Sequence, residues 1–228
     1  MISLPRALAL SLSQLGDPAI LRVLFKSLAI TLAIFAVLGW ALSYGFAAGL
    51  EWAGLSDAGG AGTLLAIVST LIGAWLLFRF VALFVLQFFA EDVVRAVEAR
   101  HYPGAASAAR SLALGEELRN GLRSTLRAFA VNTIALPFAL ALLVTGVGTA
   151  LLFWAVNGYL LGRELQDMVW LRHRQDETES APLGQGQRFL LGGAIAGLLM
   201  VPFLNLIAPV MGAAGATHLV HGRRTKLA

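Results

Sequence analysis

The chain has 228 residues, of which 58% are apolar or aromatic and 13% charged, with no cysteine and a formal net charge of +4. Its mean hydropathy is +0.76 and its isoelectric point about 10.1. A soluble domain carries about twice that charged fraction, so the apolar excess is read as facing lipid; disorder is excluded, as are disulfides and thiolate metal sites, and the positive charge fits membrane topology better than nucleic acid.

Residues 4–15 hold interrupted apolar positions with no small-residue cleavage site after them, so no cleaved secretory signal is expected. Gly16 then breaks the segment. Asp17 and Pro18 read as N-cap and first helical residue, because proline presets φ and has no N–H to leave orphaned. A long transmembrane helix is predicted over about 18–50. Arg22 and Lys26 share a face near its start, and Trp40 and Trp52 are candidate interfacial anchors. A second long helix is predicted over about 63–100. Arg79, Gln87 and small hydroxyl residues interrupt its apolar part, which passes into water at Glu91–Asp92 and stops before Pro103–Gly104.

Residues 105–127 place Leu112, Leu114, Leu118, Leu122 and Leu126 roughly on one face and Arg110, Arg119, Arg123 and Arg127 on the rest. This pattern reads either as a basic amphipathic helix on an anionic membrane surface or as a cytosolic connector.

Two further apolar runs cover 128–156 and 189–220. A straight helix over the first would be about 43 Å long against a hydrocarbon core of about 30 Å. Pro137 and the stretch Thr145–Gly146–Val147–Gly148–Thr149 supply a turn signal inside it. The second run carries Gly192–Gly193 and then Pro202–Phe203–Leu204–Asn205–Leu206–Ile207–Ala208–Pro209, where the prolines break a helix and Asn205 is placed to cap the returning half.

Charge supports the same reading. Three Lys or Arg lie up to Lys26, none in 51–62, six in 91–127, four in 157–188 and three after Val220. Four simple crossings would put the arginines of 157–188 on the side opposite both termini, against the positive-inside rule. The expected architecture is therefore an all-α membrane protein, a single domain over 1–228. It has two long transmembrane helices plus two partly inserted, re-entrant helical hairpins at about 128–172 and 188–220. Each hairpin arm would have about 12–15 residues. The non-helical tips must be buried in protein or line water, and broken helices meeting at membrane depth build sites for ions or small polar solutes.

Some polar residues fall inside or beside these runs. Arg79 is the most expensive, since a central arginine costs about 2.5–3.5 kcal/mol to insert; it reads either as a cationic contact for an anion or as a snorkelling structural residue. Asn132 and Asn205 read as linings of a polar path or as helix cross-links. Arg163, Glu164 and Asp167 read as a structural network, with Arg163 and Asp167 one helical turn apart. Gly45/Gly49 and Gly193/Gly197 are small-xxx-small pairs that favour close helix approach, within or between chains. His173, His218 and His221 show no metal-ligand spacing with carboxylates, so no metal or cofactor is expected. No catalytic motif is present, and an enzyme is not expected. No Asp or Glu lies inside the apolar runs, which disfavours a carboxylate proton relay and favours a channel-like or permease mechanism.

Three stretches resemble a known family. They are Asn157–Gly158–Tyr159–Leu160–Leu161–Gly162–Arg163–Glu164 continuing to Met168–Val169–Trp170–Leu171–Arg172–His173; Pro202 to Pro209 with Gly215–Ala216–Thr217; and Asp17–Pro18–Ala19–Ile20–Leu21–Arg22. Together they are similar to the CysZ / etoposide-induced-protein membrane family, in order and spacing over nearly the whole chain. The resemblance implies a bacterial inner-membrane protein, homo-oligomeric, that passes a small anion such as sulfate, and the charge count puts both termini on the cytoplasmic side. The eukaryotic relatives have no sulfate role, and the basic amphipathic stretch at 105–127 supports an alternative without transport, a membrane scaffold or lipid-organising protein. The resemblance also implies an anion site at the start of the first long helix, over Asp17, Pro18, Ala19, Ile20, Leu21 and Arg22. A helix N-terminus and arginine suit an oxyanion, but the glycine and second arginine of the family pattern are absent here, so an ordinary capped helix is the competing reading. Membrane lipid and a small anion are the expected partners, and nucleic acid is not.

Overall fold

The computed structural model describes residues 2–52, 64, 68, 71–73, 90–176, 178–201 and 204–224. All regular structure among them is helical. In chain order the helices are α1 (Leu4–Gln14), α2 (Pro18–Trp52), α3 (90–101), α4 (Pro103–Ala108), α5 (Leu114–Leu142), α6 (Val147–Trp170), α7 (Gln185–Leu199) and α8 (Leu204–Arg224). The chain divides into two compact units, Met1–Ile20 with Ala90–Ala228, and Leu21–Phe89.

Helix α2 begins at Pro18 and runs 35 residues, about 52 Å at the helical rise. In the unit Leu21–Phe89 its residues Phe25, Leu32, Val37, Trp40 and Tyr44 expose large apolar side chains. Trp40 and Tyr44 contact each other with ring centroids 5.3 Å apart. Arg79 and Trp52's side chain lie outside the described residues.

The other unit has its core where α6, α7 and α8 meet. Leu165, Val169, Leu191, Ile195, Ala208, Ala213, Ala214 and Ala216 are buried there. Helices α6 and α7 approach through glycine. A Cβ on Gly158 would stand 3.0 Å from the Gly193 Cα, and one on Gly162 would strike the Arg188 carbonyl. Trp154 Nε1 donates to the Gly193 carbonyl oxygen at 2.8 Å, and its ring meets Phe189 edge-on at 5.7 Å. Against α8, Gly212 faces Leu165 and Ile195, and Gly215 faces Leu8 and Ser11 of α1.

The turn expected near Thr145–Gly146 is where α5 gives way to α6. Leu143–Thr145 tightens into a 3₁₀ turn, and Gly146 takes φ of 62°, a left-handed conformation that suits glycine. Thr145 Oγ1 then accepts from the Gly148 N–H at 3.1 Å, satisfying a donor orphaned at the start of α6. The second expected break falls between α7 and α8, after Leu199 and before Leu204.

Three details differ from the sequence reading. Residues 105–127 do not form one separate surface helix: α4 is short, and α5 runs unbroken from Leu114 to Leu142 with Pro137 inside it. Proline's φ suits a helix, and it removes one ladder bond without forcing a reversal. Three of the arms are also longer than expected, at 29, 24 and 21 residues, and α7 at 15 is as expected. Asn205 and Pro209 lie inside α8, and the Asn205 N–H donates to the Val201 carbonyl at 3.1 Å, so Asn205 is a helical residue and not the cap.

Among the described residues, one helix, Leu114–Thr145, is long and apolar enough to cross a membrane, and its most apolar stretch is entirely unburied within the chain. Leu118, Leu122, Leu126, Phe129, Ile134, Phe138 and Val144 are exposed. So large an apolar surface without a cover is characteristic of a lipid- or protein-facing element.

Candidate functional site

Helix α3 buries Ala90, Val93, Val94 and Val97. Glu98 falls on the same stripe, one turn after Val94, and is completely buried. A buried carboxylate is tolerated only with partners, and three arrive from distant sequence. His173 Nε2, just past the end of α6, lies 2.7 Å from Oε1, and His221 Nε2, near the end of α8, lies 3.1 Å from the same oxygen. Arg172 Nη1 stands 3.4 Å from Oε2. Burial by itself raises the Glu98 carboxyl; the hydrogen bonds from His173 and His221, with the charges of His173 and Arg172, outweigh it and hold the group at about 2.

The polar cluster continues inward. His218 Nδ1 lies 2.8 Å from the Tyr102 hydroxyl. The Gln14 side-chain amide reaches His218 Nε2 at 2.9 Å and His101 Nε2 at 3.1 Å. Burial raises the Tyr102 hydroxyl above its ordinary value of 10.0. The Tyr102 ring lies 4.9 Å from that of His221, which meets His173 at 4.8 Å. The chain has four histidines, and all of them enter this cluster. It joins α1, α3, the segment after α6, and α8. Chemically it holds one carboxylate ionised and gathers imidazole nitrogens, the donor type that suits a transition-metal cation. Glu98, His173 and His221 bring their donor atoms within 4.8 Å of one another.

An arginine-rich cleft of about 490 Å³ opens elsewhere in this unit, lined by Arg110, Gly115, Glu116, Arg119, Arg174, Gln175 and Asp176. Arg110 donates to both Glu116 oxygens, at 2.9 and 2.8 Å, and Arg174 adds a third bond at 2.8 Å. The Arg110 and Arg174 hydrogen bonds hold the Glu116 carboxyl at about 2.

The residues singled out from sequence are dispersed. Asp17 is buried and ion-paired with Arg100. Pro18, Leu21 and Arg22 are exposed, Ala19 is half-buried and Ile20 is buried. Asn132 is exposed on α5 and donates to its own helix, to the Ala128 carbonyl, at 2.8 Å. Asn205 is exposed near the start of α8. Arg163 and Asp167 pair at 3.6 Å. Glu164 turns instead to α5, accepting from Ser124 Oγ at 2.8 Å.

Sequence spacing did not reveal the Glu98 cluster, because its hydrogen-bond partners lie 75 and 123 positions away. A signal was present nonetheless. Glu98 and His101 continue the i, i+3, i+4 stripe of Val93, Val94 and Val97, and a charge on a core-facing stripe demands partners. His218 and His221 likewise stand one turn apart in a stretch of α8, residues 208–222, otherwise made of small and apolar residues.

Residues 7–209 match the family described as Sulfate transporter CysZ/Etoposide-induced protein 2.4. No curated protein matches the chain.

Proposed function

The chain belongs to the Sulfate transporter CysZ/Etoposide-induced protein 2.4 family, and on that premise we propose that it is an integral membrane permease or channel-like protein that passes a small anion, sulfate being the first to test. The observation carrying the reading beyond family membership is α5, whose most apolar stretch is left unburied by the chain itself. The α5–α6 and α7–α8 pairs each turn back at a helix break, as re-entrant hairpins would. The reading places the chain in a bacterial inner membrane with both termini cytoplasmic, without enzymatic activity. Membrane lipid and further copies of the chain are the partners it implies. Arg22 near the start of α2, and Arg79, are the cations assigned to the anion. A specific observation favours the second reading, a lipid-organising protein: the first half of α5 exposes Leu114, Leu118 and Leu122 together with Arg119 and Arg123, a combination suited to an anionic bilayer surface.

Protein reconstituted into liposomes should take up radiolabelled sulfate above the protein-free background, and Arg22→Ala and Arg79→Ala should each lower the initial rate. No protein-dependent flux rejects the anion reading. Topology has its own test, helped by the absence of native cysteine. A cysteine introduced at the exposed Ser180 should react with an impermeant maleimide only from the cytoplasmic side. Labelling from the periplasmic side means that α5 and α6 do not return to one face.

A further inference from the structure

We propose that Glu98, His173 and His221 form a structural binding site for a divalent transition-metal ion, with zinc the best match to the donor set. Three independent segments supply one donor each: α3, the segment after α6, and the end of α8. Their donor atoms, two imidazole nitrogens and one carboxylate oxygen, lie within 4.8 Å of one another. All three residues are buried, at 0%, 6% and 4% exposure for Glu98, His173 and His221. An acidic surface cluster would be open to water and flexible; this one is enclosed and held by helices.

The two imidazoles converge on one carboxylate oxygen. Both Nε2 atoms aim at the same oxygen, Glu98 Oε1, at 2.7 and 3.1 Å. Around a tetrahedral ion with ligand bonds of about 2.0–2.1 Å, neighbouring donors stand about 3.3 Å apart. Each Nε2–Oε1 pair therefore widens by about 0.2–0.6 Å to admit the ion, and donors standing as far as 4.8 Å apart close by up to about 1.5 Å. Each Nε2 must be free of its proton to bind the ion. Two imidazoles and one carboxylate favour zinc and its first-row neighbours over magnesium or calcium, which take oxygen donors.

The surroundings support the ligands. Arg172 Nη1 faces the other carboxylate oxygen, Oε2, at 3.4 Å, keeping Glu98 ionised and Oε1 turned toward the imidazoles. The Tyr102 ring lies against His221, and His173 and His221 meet edge to face. These ring contacts restrict how His173 and His221 can turn. An ion here would tie α3 to α8 across 123 residues of chain, independently of whether the protein passes an anion. The positive charge of Arg172 opposes a divalent cation, and the alternative it leaves is a metal-free hydrogen-bonded cluster.

The test uses the full chain in detergent, with any affinity tag removed, stripped with chelator and titrated with Co²⁺ and then Zn²⁺. Wild type should bind one equivalent of Co²⁺, give the visible absorption of a low-symmetry N/O site, and release the Co²⁺ to Zn²⁺. His173→Gln and His221→Gln should weaken Co²⁺ binding at least about tenfold, while His101→Gln, outside the proposed ligand set, should leave it unchanged. Wild type that binds no stoichiometric Co²⁺ or Zn²⁺ overturns the proposal, as does binding that survives both ligand substitutions. Should a ligand variant fail to fold by circular dichroism, the wild-type titration decides alone.

Discussion

Replacing Glu98 with alanine should destabilise the protein by about 3–5 kcal/mol, the range for removing one partner from a buried ion pair. The substitution leaves the Arg172 guanidinium and the His173 and His221 rings facing a cavity instead of a carboxylate. Arg172 and His173 are 14% and 1% exposed at the side chain, so little water replaces the lost partner. Thermal unfolding in detergent, followed by tryptophan fluorescence, should show a fall in Tm of about 10 °C. Glu98→Gln keeps the shape and part of the hydrogen bonding and should lose less. An alanine variant within about 1 kcal/mol of wild type would mean that the cluster contributes nothing net, as some buried ion pairs do not.

The pH dependence follows from the same carboxylate. In the fold it is held at about 2, below its ordinary 4.5, so the folded state releases the proton more readily than the unfolded chain. Its contribution is therefore fully present above 4.5 and is lost as pH falls through about 2. The margin of wild type over Glu98→Gln should persist at about pH 5 and disappear near the folded value. A margin that already shrinks between neutral pH and about pH 5 would mean that the carboxyl is not held this low in the fold.

What the sequence disclosed and what it hid divide by sequence separation. The start of α2 at Pro18, the turn at Thr145–Gly146 and the Arg163–Asp167 pair are all local. Proline geometry, the freedom of glycine at positive φ and the helical i, i+4 spacing each act within a few residues. Pro137 and Pro209 lie inside helices and do not break them, because a helix packed or solvated by its surroundings tolerates one missing N–H. The first half of α5 was separated from its apolar half because their compositions differ, yet no residue between Leu126 and Phe129 ends a helix. The Glu98 cluster was hidden for the opposite reason. Its members stand on separate segments, and only the packing of α3, α8 and the segment after α6 brings them together. Metal-ligand patterns read from spacing find sites built on one loop or helix, and this set spans three segments.

Glycine gives the second large expectation, again through a contact invisible to spacing within one helix. Gly193/Gly197 reads as a small-residue pair in α7, but the tightest approach uses Gly158 and Gly162 of α6 against Gly192 and Gly193. An added Cβ on Gly162 would collide with the Arg188 carbonyl oxygen and stand 3.2 Å from the Gly192 nitrogen. On Gly192 it would meet the Gly158 oxygen and the Gly162 nitrogen, and come within 2.7 Å of the Gly162 Cα. These are backbone atoms, which cannot rotate away as a side chain does. Gly162→Ala must therefore push α6 and α7 apart, stretching the 2.8 Å bond from Trp154 to Gly193 and opening the core around Leu191 and Ile195. Overpacking costs about 1–3 kcal/mol where side chains yield and more where they do not, so a loss of about 3 kcal/mol or greater is expected. Gly121, inside α5, is the control: a Cβ there meets nothing within 4 Å, and alanine should stabilise the helix by about 0.5–1 kcal/mol. The two substitutions, identical in chemistry, should thus shift the unfolding midpoint in opposite directions. Equal midpoints, or a stabilised Gly162→Ala, would show that α6 and α7 do not touch backbone to backbone.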